Sequence, residues 1–175
     1  MRLIIKISLF CLISISVFGQ SIQYKVDLQH VQKDRVRVQV FLPKQVSNSI
    51  VFNFPKQVPG TYANYDFGRY IQGFKALDKN GQTLPVYKKN INQYQIDQVQ
   101  SLDHLQYEVN DTWDSPEIKG EYIFEPAGTN IQKDTLFAFN VHGFLGFVEG
   151  QEKNPVQLMI KKPSHLLATS SLENT

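Results

Sequence analysis

Thiols are almost missing from this chain: one of 175 residues is cysteine, Cys11, and it falls in a segment read below as a leader. The remainder therefore has no disulfide framework, no thiolate nucleophile and no thiolate metal ligand. Histidine is also scarce. His30, His104, His142 and His165 lie far apart, and none is followed by Glu or stands four residues from another, so the H-E-x-x-H pattern of zinc hydrolases is absent. There is no G-x-S-x-G elbow and no phosphate-cradling glycine loop. No stretch of a dozen residues carries a helical apolar stripe. Nor is there a basic block. The 18 Lys and Arg are scattered among 16 Asp and Glu, which argues against nucleic acid or an anionic membrane as partner.

What is present begins with export. Arg2 and Lys6 precede an apolar run from Ile7 to Phe18 that closes on Gly19, the pattern of a secretory signal peptide over residues 1–19. Its uncharged core is shorter than the ~20 apolar residues of a membrane span. Cys11 follows bulky Phe10, against a lipid-anchored terminus. The expected mature chain starts at Gln20, stays off the membrane after cleavage, and is periplasmic or extracellular. Its 16 basic and 16 acidic residues balance, and its length suits one core.

Residues 20–175 read as one all-β domain. Ile22, Tyr24, Val26 and Leu28 alternate with polar residues, as do Val36, Val38, Val40 and Leu42, and the Gln32-Lys33-Asp34 break between them predicts an antiparallel hairpin. Further strands are expected at Ile50–Phe54, Leu84–Tyr87, Tyr94–Ile96, Leu105–Val109, Tyr122–Phe124, Leu136–Val141 and Val156–Ile160, separated by turn signals such as Lys79-Asn80-Gly81. Many short strands at this spacing predict an antiparallel β-sandwich. The apolar start of Ser164–Thr175 has no obvious partner strand, and the domain is expected to run on past Thr175.

The stretch Val58 to Phe74 breaks the pattern, with five rings, an Asp and an Arg in no regular period. Pro59-Gly60 predicts a type II turn. Tyr62, Tyr65, Phe67, Tyr70 and Phe74 then suit a short irregular or helical turn plugging one end of the sandwich, with Asp66 and Arg69 three apart on one face. Two readings stay open: a lid whose rings are buried, or an aromatic surface for a partner. Asp111, Asp114, Glu117 and Glu121 read as an exposed acidic turn rather than a calcium loop, and Asn110-Asp111-Thr112 is formally a glycosylation sequon. No catalytic or metal-binding constellation is found in the chain.

The order of these features resembles the N-terminal domain of the glycyl aminopeptidase family of zinc metallopeptidases. Tyr24-Lys25-Val26-Asp27-Leu28 is similar to the family's opening strand, and Pro59-Gly60-Thr61-Tyr62 running into Asp66-Phe67-Gly68-Arg69-Tyr70 is similar to its Pro-Gly-Ser-Tyr turn and following Asp-Phe segment. Ala138-Phe139-Asn140-Val141, then Phe147-Val148-Glu149-Gly150, is similar to its Phe-Phe-Asn-Gly run and closing Glu-Gly, with Val141 in place of Gly. A final likeness covers Pro163 to Leu172. The resemblance implies a β domain packed in cis on a catalytic domain that bears H-E-x-x-H and binds zinc. Zinc is thus expected only in that following domain, peptide substrate is met indirectly, and this chain alone is expected to be inactive. Tyr62, Asp66, Arg69 and Asn140 become the candidates at the domain or substrate interface. A free-standing periplasmic or surface module that grips a glycan or peptide is the alternative.

Overall fold

The structure, a computed structural model, describes residues 21–115, 118–120 and 122–173. The expected signal peptide, residues 1–19 with Cys11, lies outside the described residues.

Strands β1 (Ile22–Gln32) and β2 (Arg35–Phe41) form the expected hairpin. Its two-residue loop, Lys33 and Asp34, has both φ values positive, which matches the twist of the flanking strands. There follow β3 (Ser49–Asn53), a 3-10 turn (Phe67–Tyr70), β4 (Ile71–Asp78), β5 (Val86–Lys88), β6 (Gln93–Asp97) and β7 (Leu102–Asn110). The chain closes with β8 (Thr129–Gln132), β9 (Leu136–Phe139), a one-turn helix α1 (Val141–Phe144), β10 (Phe147–Val148) and β11 (Val156–Lys161). A five-stranded sheet, ordered β11-β1-β2-β7-β4, faces a four-stranded one, β10-β3-β6-β5, and β8 pairs with β9 as a separate ribbon. Every pair is antiparallel except β1 with β11, where Ile22 sits opposite Val156. The fold is the predicted β-sandwich.

Alternation puts Ile22, Tyr24, Val26, Val36, Val38, Val40, Leu105, Tyr107 and Val109 on the inner face of the large sheet. Opposite them, Phe52, Tyr94 and Ile96 come from the small sheet, with Phe54 just past the end of β3. Phe54, Phe74, Tyr94 and Tyr107 stack or meet edge to face at 4.2 to 6.2 Å, contacts each worth ~0.5–1.5 kcal/mol beyond area burial.

Phe74 reaches this cluster through a bulge. The β4–β7 register shifts between Gln72 and Lys75, at Gly73, whose φ is +59°. Three residues after buried Ile71, Phe74 would face outward in a regular strand; the extra residue turns it and Ala76 inward. This explains why β4 is absent from the sequence expectation. β8 and β10 are too short to show alternation. Conversely, the expected strand Tyr122–Phe124 does not form: Ile123 alone is buried, and the backbone passes into a 3-10 turn with Pro126. The strand expected over Leu136–Val141 stops at Phe139, because Asn140 caps α1.

The two sheets are joined by buried hydroxyls. From β1, the Tyr24 Oη donates to the Gly146 carbonyl at 2.6 Å; from β7, the Tyr107 Oη donates to the Phe144 carbonyl at 3.1 Å. Gly146 leads into β10, and a Cβ there would lie 2.2 Å from a Phe52 ring carbon and 2.8 Å from the Asn53 carbonyl oxygen. Gly146→Ala is therefore expected to destabilise the fold by ~1–3 kcal/mol through overpacking, read as a lowered urea midpoint at unchanged slope.

Burial pushes the Tyr24 and Tyr107 phenols above their ordinary value, and the nearness of Tyr24 adds to the shift at Tyr107. An unfolded tyrosine ionises near ~10. Because the folded values lie higher, this contribution to stability is complete below pH ~10 and is lost as pH rises from there toward the folded values. The urea midpoint is expected to fall between about pH 9 and about pH 11, and less steeply in Tyr24→Phe. An identical slope in the variant would refute the assignment.

Candidate domain-interface site at the Pro-Gly corner

The corner after β3 is a second small core. The Thr61 amide donates to the Val58 carbonyl at 3.2 Å and Gly60 takes φ +89°, completing the predicted turn. The returning chain is then stitched to its own approach: Tyr65 and Asp66 amides donate to the Lys56 carbonyl, and Phe67 to Pro55. Val58, Tyr65, Phe67 and Tyr70 pack with Ile123 and Ala127. The rings at 65, 67 and 70 are thus core, and Phe74 belongs to the main cluster. Tyr62 is the exception, 100% exposed at φ +56°. A left-handed backbone costs a residue with a Cβ ~1–2 kcal/mol.

Asp66 and Arg69 are placed on one short turn, but each holds a different neighbour. Asp66, at φ +50°, accepts from Asn92 Nδ2 at 2.6 Å, while Asn92 Oδ1 accepts the buried Gly68 amide at 2.9 Å. Arg69 donates through Nε and Nη2 to the Tyr65 carbonyl, at 2.9 and 2.7 Å, and through Nη1 to the Lys119 carbonyl at 2.8 Å. Its guanidinium also lies 5.1 Å from the Tyr70 ring centroid. Burial pushes the Tyr70 phenol up, with Arg69 beside it acting in the opposite direction. Both side chains thus position backbone: Asp66 through Asn92 holds the 3-10 turn, and Arg69 clips segment 118–120 onto the corner.

Asn140 approaches the same small core from the other side. Its Oδ1 accepts the His142 amide at 3.1 Å, capping α1, and its Nδ2 donates to the Pro126 carbonyl at 3.2 Å. Within α1, a Cβ on Gly143 would lie 3.3 Å from the Phe67 ring and 3.2 Å from the Ala127 carbonyl. The two sequence motifs centred on Phe67 and Asn140 therefore meet around Phe67 and Ala127. Tyr62 leaves this cluster for solvent, as do Tyr122 and Phe124 on either side of buried Ile123.

Two readings of the neighbouring loop are corrected. Asp111 is 1% exposed, not part of a solvated acidic turn, and its carboxylate accepts the amides of Trp113, Asp114 and Ile131. Glu117 and Glu121 lie outside the described residues. Asn110 is 2% exposed, accepts from Arg35 Nε and donates to the Tyr70 carbonyl, both at 2.8 Å, so the sequon offers no accessible amide. Sequence reasoning missed Asn92 and misassigned Asp111; an Asn or Asp beside a turn is the signal that fits such backbone-binding roles.

Among the described residues, no three His, Cys, Asp or Glu side chains gather to hold a metal. His30 and His104 bond to Asp27 and Asp103, His142 to Asn140, and His165 to the Asp134 carbonyl. No helix among them is long and apolar enough to cross a membrane, which says nothing of a β-barrel.

Comparison with known proteins decides what kind of domain this is. The family model described as the Peptidase M61 N-terminal domain matches residues 23–175. This chain is a Peptidase M61 N-terminal domain. It belongs with the glycyl aminopeptidase family, whose zinc is bound by the catalytic domain. The residues described in this M61 domain do not fit a zinc centre. Among solved structures, an aminopeptidase N family protein from Idiomarina loihiensis superposes with a TM-score of 0.62 at 23% identity, over 82% of this chain and 22% of that one. That likeness shows the fold. The chain spans about a fifth of the length of that protein, 22%. A search of curated proteins finds no match.

If Asn92 organises the M61 corner, Asn92→Ala, which leaves the buried Gly68 amide unpaired, is expected to cost ~1–3 kcal/mol. Tyr62→Gly, which relieves a left-handed backbone at an exposed position, is expected not to lower the melting temperature. Calorimetry of the two variants checks both, and a lower melting temperature for Tyr62→Gly would show that the ring stabilises the domain itself.

Proposed function

We propose that this chain is the non-catalytic N-terminal β domain of an exported zinc aminopeptidase, packing on a catalytic domain and helping to wall the cleft that receives the substrate's amino end. The family match over residues 23–175 carries this reading. Zinc-activated water and a glutamate base would be supplied by the catalytic domain. The contribution of this domain is position and shape. Tyr62, fully exposed on the conformationally fixed Pro-Gly corner, is the side chain offered to that cleft, since interfaces favour tyrosines on rigid supports. Asp66, Arg69 and Asn140 hold the corner beneath it rather than touching substrate.

The exposed rings of Trp113, Tyr122 and Phe124 favour a second reading, a free-standing module binding glycan or peptide. The reading frame beyond residue 175 separates the two: an H-E-x-x-H downstream supports the peptidase, and a stop codon supports the module. In the full-length enzyme, Tyr62→Ala is expected to lower kcat/KM for Gly-anilide substrates by about tenfold, or ~1.4 kcal/mol, without changing zinc content. Residues 20–175 alone are expected to give no chelator-sensitive turnover. Unchanged kcat/KM in the variant, or turnover by the fragment, would overturn the assignment.

A further inference from the structure

The large sheet overhangs its partner at one edge. In the β1–β11 register, Val156, Leu158 and Ile160 lie beside Ile22, Tyr24 and Val26, on the core-facing side. Ile22, Tyr24 and Val26 are buried, yet Val156 is 53% and Ile160 41% exposed. The overhang, the β8–β9 ribbon and residues 166–172 enclose a groove of about 490 Å³. Leu28, Leu136, Phe137, Phe139, Leu158 and Ile160 supply its apolar walls.

The last described segment is fastened at this groove by three hydrogen bonds. His165 Nε2 bonds to the Asp134 carbonyl in the ribbon's turn at 2.9 Å, Lys162 Nζ donates to the Leu166 carbonyl, and Gln29 Nε2 donates to the Lys162 carbonyl at 3.0 Å. So fixed, it leaves Leu167 100% exposed and Leu172 46% exposed at the groove. An isolated domain gains nothing from ordering leucines against an open apolar trough.

Resting on the reading of this chain as an N-terminal domain, we propose that the groove of β11, β9 and residues 166–172 is a docking face whose occupant is the polypeptide immediately following residue 175, inserting apolar side chains over Ile160 and Leu167. Two observations favour that occupant over a separate protein. The matching family is by description an N-terminal domain, and the similar solved chain is several times longer than the part this chain covers. Moreover, residues 166–172, at the C-terminal end of the described chain, themselves line the groove. This face is formed by different elements from the Tyr62 corner and is a second contact.

The absence of cysteine from residues 20–175 makes thiol labelling the test. In the full-length protein, with Cys11 and any cysteine outside residues 1–175 replaced by Ser, single cysteines are placed at Leu167 and, as a reference, at Val46, which are 100% and 97% exposed in this domain. Maleimide labelling is followed by peptide mass mapping, with rates in urea as the intrinsic standard. Leu167→Cys is expected to react at least about tenfold more slowly than Val46→Cys in the native protein and equally fast in urea. Ser170→Cys, which removes no apolar group, should be protected alike, guarding against a Leu167 variant that loosens the contact. Equal native rates would overturn the proposal, as would protection that disappears on dilution, which marks a second copy as the occupant. Tyr62→Cys reports separately on the corner. Protection there without protection at Leu167 leaves the reading as an N-terminal domain standing and sinks the docking face; protection at Leu167 alone supports the docking face and that reading, and shows only that Tyr62 stays open to solvent.

Discussion

The contact on which the rest of the structure depends is a pair of buried phenol-to-carbonyl hydrogen bonds across the sandwich. Tyr24 and Tyr107 stand on one sheet, and the carbonyls they bind, at Gly146 and Phe144, belong to the strap that leads into the other. Each ring is packed at 2% exposure or less, so its hydroxyl must find a partner inside. The strap satisfies both and is held at a fixed height above the large sheet. Gly146 then lets the backbone pass against Phe52, closer than any residue with a Cβ allows. With no cysteine among residues 20–175 to crosslink it, the domain joins its two sheets by this polar latch set in an apolar core.

From the latch the architecture of the corner follows. The strap's first turn, α1, brings Gly143 against Phe67, and Asn140 caps that turn while reaching Pro126. The 3-10 turn that carries Phe67 is itself held by Asn92 and Asp66. Two segments some seventy residues apart thus share one small core, and its rigidity is what fixes Tyr62 in space. The aromatic density that stands out in the sequence has a mixed cause. Three of the five rings are buried in the small core, Phe74 is half-buried against the main cluster, and Tyr62 alone of the five is exposed.

How much of this was legible follows from the physics of each element. The β1–β2 hairpin, β3, β6, β7 and β11 show period-two alternation, and the class of fold could be read from them. β4 could not, because the bulge at Gly73 inverts its alternation midway. Tyr122–Phe124 mimics a strand by composition, yet only Ile123 has a buried place to go. The Pro-Gly turn was readable because Pro and Gly constrain φ directly. Asp66 and Arg69 do share one short turn, and folding gives them partners the spacing could not name: the Asn92 amide for Asp66, and the Tyr65 and Lys119 carbonyls for Arg69. The roles of Asn92 and Asp111 depend on chain segments brought together only by folding. Residue type there announces a capacity for backbone hydrogen bonding without naming its partner.

The unequal width of the two sheets links the interior to the exposed groove. A five-stranded sheet set over a four-stranded one leaves at least one strand without full cover, and twist decides which. Here the latch lies over β1 and β7, so the strap and the short β10 end near β1, and β11 projects beyond them. Pairing parallel to β1 obliges β11 to present Val156, Leu158 and Ile160 on the core-facing side regardless of what lies above. Polar residues there would suit a free edge, and the sequence places apolar ones. The β8–β9 ribbon covers only part of the gap, through Phe137 and Phe139. The same geometry that seals the core at Tyr24 therefore creates an unsealed apolar step one strand away, and the chain's last described residues run along it.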